Sequence, residues 1–274
     1  MTTSPKVDLR NPLIAGILAF LLPGAGHCYQ GRFFKAFVFA ICVWGSWWTG
    51  MAMSDWKALQ APNLDAPQTA TVLKFAGQAG VGTPALWAMY QSHRFYHEGN
   101  LRPESVNGSV SIPFSGRIEV QDGNGIRQEE VDGTLSLSDT QGQFGPAITG
   151  KFEGEGDNGP VSYQLDDKVT LDRIISSERD AEVSAGIVDA EQHYLGNIRG
   201  TTPRALRNWF ACPLDKVQEA NWHRERGKYQ ELSMVFVWIA GLMNLLAIWD
   251  AVEGPAYGYD DEDEQTPSPP VPAA

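Results

Sequence analysis

Residues 11–53 read NPLIAGILAFLLPGAGHCYQGRFFKAFVFAICVWGSWWTGMAM, two apolar runs around the polar break PGAGHCYQGR. A helix needs about 20 apolar residues to cross the hydrocarbon of a bilayer. The second run, Phe33–Met53, has that length. Its one charge, Lys35, lies near the start, where a long side chain can reach the headgroups. Trp44, Trp47, Trp48 and Trp56 gather towards the other end, the depth that tryptophan prefers. The first run, about residues 12–26, is short. It spans only if the helix continues past Pro23, and a re-entrant or kinked helix is the alternative.

Two more runs follow. Residues 71–90 are weaker, holding Lys74, Gln78 and Pro84 among glycines, with Ala76 and Gly80 as a small pair suited to close helix packing. A packed span is the simple reading of this run, and a broken helix lining a polar path is the sharper one. Residues 232–252, LSMVFVWIAGLMNLLAIWDAV, read as a clear span.

Between the third and fourth runs the pattern changes to period two. SVSIPFSGRIEVQ, DGTLSLSD, AITGKFEGE and PVSYQLDD alternate apolar and polar residues between turn clusters such as DGNG and GEGDNGP. VTLDRI, AEVSAGIVD and HYLGNI add further strands. Their core would take Ile118, Val120, Leu135, Leu137, Ile148, Phe152, Tyr163, Leu165, Ile187 and Val188. The predicted fold is an α-helical membrane bundle of about four spans with an inserted all-β soluble domain, a small barrel or sandwich. Its parts are a membrane region over 1–103, the β insertion over 104–198, a basic and aromatic interfacial helix over 199–231, the last span over 232–253, and a disordered acidic, proline-rich tail over 254–274.

Charge follows the same division. Residues 104–198 hold 18 acidic and 6 basic residues, and residues 253–274 add 6 acids and no base. The overall net charge of −12 thus hides a basic frame beside an acidic insertion. The frame suits a lipid bilayer as partner, whereas the acidic insertion argues against nucleic acid, which needs a basic surface. The three cysteines, Cys28, Cys42 and Cys212, have no paired spacing and give no disulfide framework. The polar break lacks a small-x-small cleavage site, so the first run reads as an uncleaved anchor.

Four crossings would place both termini and residues 54–70 on one side. The first turn and the insertion would share the other, with Arg32, Lys35, Arg94, Arg102, Arg224, Arg226 and Lys228. The positive-inside rule makes that side cytoplasmic. His27 and Asp250 then lie on opposite sides, and they could share a site only if the first run is re-entrant.

Candidate chemistry is sparse. His27, Tyr29 and Arg32 at the first turn form a possible polar site for a lipid phosphate or a proton, and the simpler reading is a turn anchor at the headgroups. Asn244 and Asp250 are possible intramembrane polar residues, Asn244 for a helix–helix hydrogen bond and Asp250 at the interface. His93 and His97 have helical metal spacing without a third ligand. In DGNGIRQEEVDG the calcium-loop pattern fails at Ile126. No catalytic residues, metal ligands or cofactor-binding motif are identified, and no cofactor is expected.

PGAGHCYQGRFFKA resembles the turn of the two-transmembrane-helix (TM-two) domain, whose glycine-rich turn carries a histidine, an aromatic residue and a glycine before its second span. Gly24, Gly26, His27, Tyr29 and Gly31 match, whereas Cys28 stands where an arginine is usual. Together with GKYQELSMVFVWIAGLMNLLAIWDAVEGPAYG, the membrane runs are similar to a family of uncharacterised bacterial, planctomycete-type membrane proteins. The resemblance implies a multi-pass protein of the bacterial inner membrane and carries no activity. The function expected is that of a non-enzymatic scaffold whose cytoplasmic β domain docks a protein partner or self-associates; the alternative is a small transporter or lipid-handling protein.

Overall fold

The computed structural model describes residues 10–98, 106, 108–122, 125–142 and 145–253. Lys6, Arg102, residues 123–124 and 143–144, and the tail predicted to be disordered, 254–274, lie outside them. The chain divides into two compact units, residues 1–89 with 216–274, and residues 90–215.

In the first unit, α1 covers Pro12–Leu21. Asn11 caps it, its side-chain oxygen accepting the Leu13 N–H at 3.0 Å, and Pro12 supplies a preset φ at the first position. The helix stops at the residue before Pro23. Leu22 is extended, with φ −139° and ψ 108°, because the proline ring disfavours helical backbone there. Gly24 then takes φ +90°, and α2 (Ala25–Tyr29) folds back against α1. Ten residues of helix reach about 15 Å, half of a bilayer's hydrocarbon.

The long helices α3 (Phe33–Met53) and α8 (Lys228–Glu253) run antiparallel. Lys35 meets Asp250 at one end, and Gly50 lies against Ser233 and Val237 at the other. At its end α3 is closed by a hydrogen bond from the Trp56 N–H to the Met51 carbonyl at 2.7 Å, with Asp55 and Trp56 at positive φ. Trp47, Trp48 and Trp56 pack edge to face there.

The third apolar run is two helices, α4 (Thr69–Ala79) and α5 (Thr83–Glu98), broken at residues 80–82. Gly82 has φ +88°, and a Cβ there would overlap the Phe20 carbonyl oxygen. Side chains of α8 secure α4: Trp238 Nε1 donates to the Lys74 carbonyl at 2.8 Å, and Asn244 Nδ2 donates to the Gly80 carbonyl at 2.8 Å. The break lies beside the middle of α8, and the end of α1 meets it there.

The four-span bundle with a small inserted domain is therefore corrected. Among the described residues only α3 and α8 are long and apolar enough to cross a membrane. Run one is stopped by Pro23 at half the needed length, and run three by the Gly80–Gly82 break. The sharing of a side by the first turn and the insertion rested on four crossings and falls with them.

The β structure is one large antiparallel sheet of seven strands in the second unit. Its strands are β1 (Val110–Asp122), β2 (Gly125–Gly142), β3 (Gly145–Gly156), β4 (Gly159–Leu165), β5 (Thr170–Leu171), β6 (Asp180–Val188) and β7 (Tyr194–Pro203). The order is β4-β3-β2-β1-β7-β6-β5, and β4 also pairs with β6 through Gln164↔Val188 and Leu165↔Ile187. The ladders of β1 with β2, β2 with β3 and β3 with β4 end at the partners Asp122↔Gly125, Gly142↔Gly145 and Gly156↔Gly159. Alternation puts Phe114, Ile118, Leu135, Phe152, Ile187 and Ile198 in one core, where Phe114 and Phe152 meet at 5.5 Å between ring centroids. Val120 and Tyr163, read as core, are only partly buried.

The segment predicted as one interfacial helix over 199–231 is divided. Residues 199–203 end β7, Leu206–Trp209 form the single turn α6, and Lys216–Arg226 form α7, which packs against α8 with Trp222 buried.

Candidate functional site

The densest polar cluster of the first unit surrounds Asp250 in the last turn of α8. Its Oδ2 accepts from His27 Nε2 at 2.8 Å and from Arg32 Nη2 at 2.8 Å. Its Oδ1 accepts from Lys35 Nζ at 3.0 Å. Arg32 Nη1 also donates to the Asp250 backbone carbonyl at 2.9 Å, and Gln30 Nε2 donates to the Ala251 carbonyl. One carboxylate thus gathers α2, the α2–α3 turn and the first turn of α3 onto the end of α8.

The expectation that His27 and Asp250 lie on opposite sides is overturned. The backbone explains why: α1 turns at Pro23 instead of crossing, so α2 returns His27 to the end where α8 finishes. His27 is fully buried and its ring stacks on Phe39 at 4.9 Å between centroids. The ionised carboxylate only accepts, so Nε2 carries a proton, and Nδ1 is the ring nitrogen left to be partnered. No described group donates to it.

The other sequence candidates separate. Tyr29 joins the cluster through its backbone, its carbonyl accepting from Arg10 Nη1 at 3.0 Å while the Arg10 guanidinium lies 5.6 Å from the centre of its ring. Asn244 is fully buried at the α4–α5 break, with Nδ2 on Gly80 and Oδ1 without a described partner. It shares nothing with Asp250. His93 and His97 fall on one face of α5, with ring centroids 4.1 Å apart and His97 Nδ1 against the His93 carbonyl at 2.9 Å. Lys35 and Gln30 belong to the cluster although neither was singled out as a site residue. Lys35, a charge within an otherwise apolar span, was the signal available for one of them. Gln78 was visible in the same way: it is buried, donates to the Ala58 carbonyl at 2.9 Å and accepts from the Gln60 N–H at 3.2 Å, fixing the loop after α3.

In the second unit a concavity of about 860 Å³ opens on the outer face of β1, β2, β5, β6 and β7. Arg117 and Arg199 are register partners at its centre, flanked by Glu119, Glu130, Glu182 and Asp172. Below it, Arg204 donates to Asp172 Oδ2 at 2.5 Å and to the Glu178 carbonyl at 2.9 Å, tying the β5 segment to the end of β7. On the other face of β2, a hydrogen bond from Arg127, backed by the Asn158 N–H, lowers the Glu129 carboxyl below its ordinary value against the opposing effect of burial. Burial pushes the Cys212 thiol up to about 12.

These features define a class: a chain with two helices capable of crossing a membrane, a half-length helical hairpin bound to their end, and a separate antiparallel β unit. Residues 14–263 match the family described as Family of unknown function (DUF6677), and the chain belongs to that family. No curated protein and no solved structure matches it.

Proposed function

We propose that the chain is an integral membrane protein that crosses the bilayer through α3 and α8 and carries its β unit as a non-enzymatic docking module for a protein partner or a second copy. One observation carries the membrane reading. The spans have mean hydropathies of 1.4 and 2.0, yet only 28% and 33% of their apolar windows are buried. A core helix of a water-soluble protein would bury such a surface, whereas lipid solvates it. Phe34, Phe37, Ile41 and Trp48 on α3, and Leu242, Leu245, Leu246 and Trp249 on α8, all face outward.

The likeness of the first turn to the TM-two domain, and of the membrane runs to a bacterial family, makes a bacterial inner membrane our reading of the bilayer. The polar concavity on the outer face of the sheet supports docking. A transporter is less well supported: Gly80 packs on the Gly241 carbonyl and Gly82 on that of Phe20, closing the break against a polar path.

Alkaline carbonate extraction tests the membrane reading. The full chain should stay with membranes, and Leu245→Arg, which costs about 3 kcal/mol in a span centre, should reduce the inserted fraction. Complete release of the unaltered chain would refute it. Affinity capture of the full chain and of one lacking residues 104–198 tests the module, and identical partners would count against it.

A further inference from the structure

We propose that Asp189, Glu191 and His193, on the turn between β6 and β7, bind a divalent transition-metal ion such as zinc. The site needs neither the membrane reading nor the docking reading above.

The turn is tied by its own backbone. β6 and β7 hold their last register pair at Val188↔Tyr194. The Asp189 N–H donates to the His193 carbonyl at 3.0 Å, and the Gln192 N–H to the Asp189 carbonyl at 3.1 Å. The two oxygens of the Asp189 carboxylate have different partners. Oδ1 accepts from the Glu191 N–H at 2.9 Å and from the His193 N–H at 2.8 Å. Oδ2 is turned to the His193 ring, 3.2 Å from Nδ1. Glu191 Oε2 approaches the same nitrogen at 3.8 Å. Three side chains thus bring one ligand atom each to within 4.8 Å of one another. Adjacent ligands of a tetrahedral ion with bonds of about 2.1 Å stand about 3.4 Å apart. The separations from Nδ1, 3.2 and 3.8 Å, bracket that spacing. The Glu191 and His193 side chains are 79% and 74% exposed, so they can close on an ion by rotation while the turn stays as it is.

The charges favour a cation. Two carboxylates share the site, and among the described residues no Lys or Arg side chain bonds to either. Counting further afield strengthens the attraction, because residues 104–198 hold 18 acids and 6 bases. The imidazole sets the class of ion. A neutral ring with its proton on Nε2 presents the Nδ1 lone pair, and the Nδ1 contact with Oδ2 gives way to one bond from each atom to the metal. One nitrogen with two carboxylate oxygens suits zinc and its first-row neighbours, whereas calcium and magnesium take oxygen ligands. Three protein ligands leave a coordination position for water or for a donor from outside.

The test uses the full chain in detergent, stripped with EDTA, and follows amide exchange of residues 188–194 as zinc is added. Zinc should raise protection there and leave β2 and β3 unchanged. His193→Ala and Glu191→Ala alter exposed side chains of the turn, and protection of β6 and β7 without metal reports whether each keeps the fold. Each should raise the zinc midpoint about tenfold or more, since loss of a group that only supports a metal ligand already costs about 10–100-fold. No protection by zinc in the unaltered chain, or a midpoint unmoved in either variant, overturns the three-ligand site. Calcium matching zinc at equal concentration also overturns the proposal, because carboxylates alone would then be holding the ion.

Discussion

Asp250→Asn removes one charge and almost no volume, so it isolates what the carboxylate does. The amide oxygen can still accept from His27, and the loss falls on Arg32 and Lys35. The Arg32–Asp250 contact is 2.8 Å with side chains 16% and 20% exposed, close to a buried charge-assisted hydrogen bond. Such a bond is worth about 1.5–3 kcal/mol. Lys35 is far more exposed, and solvent screening limits its share to about 0–1 kcal/mol. The expected cost is about 2–4 kcal/mol, near the lower end of what breaking a fully buried pair costs. Unfolding of the detergent-solubilised full chain, followed by tryptophan fluorescence, measures it. A double-mutant cycle with Arg32→Gln should give a coupling of about 1–2 kcal/mol. A change below about 0.5 kcal/mol for Asp250→Asn, or no coupling with Arg32, would refute the view that this carboxylate joins α2 and α3 to α8.

Gly82→Ala meets both a positive φ and the Phe20 carbonyl, so it should lower the unfolding midpoint by an amount equivalent to about 2 kcal/mol or more, whereas Gly45→Ala, with open space around it, should have little effect. In the β unit, Phe152→Ala should cost about 3–5 kcal/mol, read as lost amide protection across β2 and β3 of the full chain. The Glu129 carboxyl is lowered by folding, so its contribution is complete above the unfolded value of 4.5 and disappears as pH falls through the folded one. Protection of the β2 amides, taken relative to the intrinsic exchange rate at each pH, should therefore fall in acid, and Glu129→Gln should flatten that dependence. Cys212, with its thiol raised to about 12, should resist iodoacetamide at pH 8 until the chain is denatured.

Hydropathy and period-two alternation made much of the local structure legible. Phe33–Met53 and the last apolar run stand out because their length and apolarity are properties of single segments. Ile118, Leu135, Leu137, Phe152 and Ile187 alternate within their own strands and are buried together. Phe114, Val131 and Ile198 are equally buried and went unread, although Phe114 and Ile198 lie within segments read as strands. The crossing number was harder. Pro23 permits either a kinked span or a stop, and that choice depends on whether α2 can pack back onto α1, a contact between small residues that hydropathy does not weigh. The polar cluster depended on the same choice. His27 and Asp250 are 223 positions apart, and counting four crossings separates them by a whole membrane. One proline and one glycine break therefore decided both the fold and the site.

Single cysteines at positions 10, 31 and 253, in a chain with Cys28, Cys42 and Cys212 replaced by serine, test the half-length hairpin most directly. A membrane-impermeant maleimide is applied to intact and to inverted vesicles. With α1 and α2 entering and leaving by one face, and α3 and α8 crossing, all three positions label from the same side. Labelling of position 31 from the face opposite to positions 10 and 253 would mean that the first run crosses, and would contradict the account.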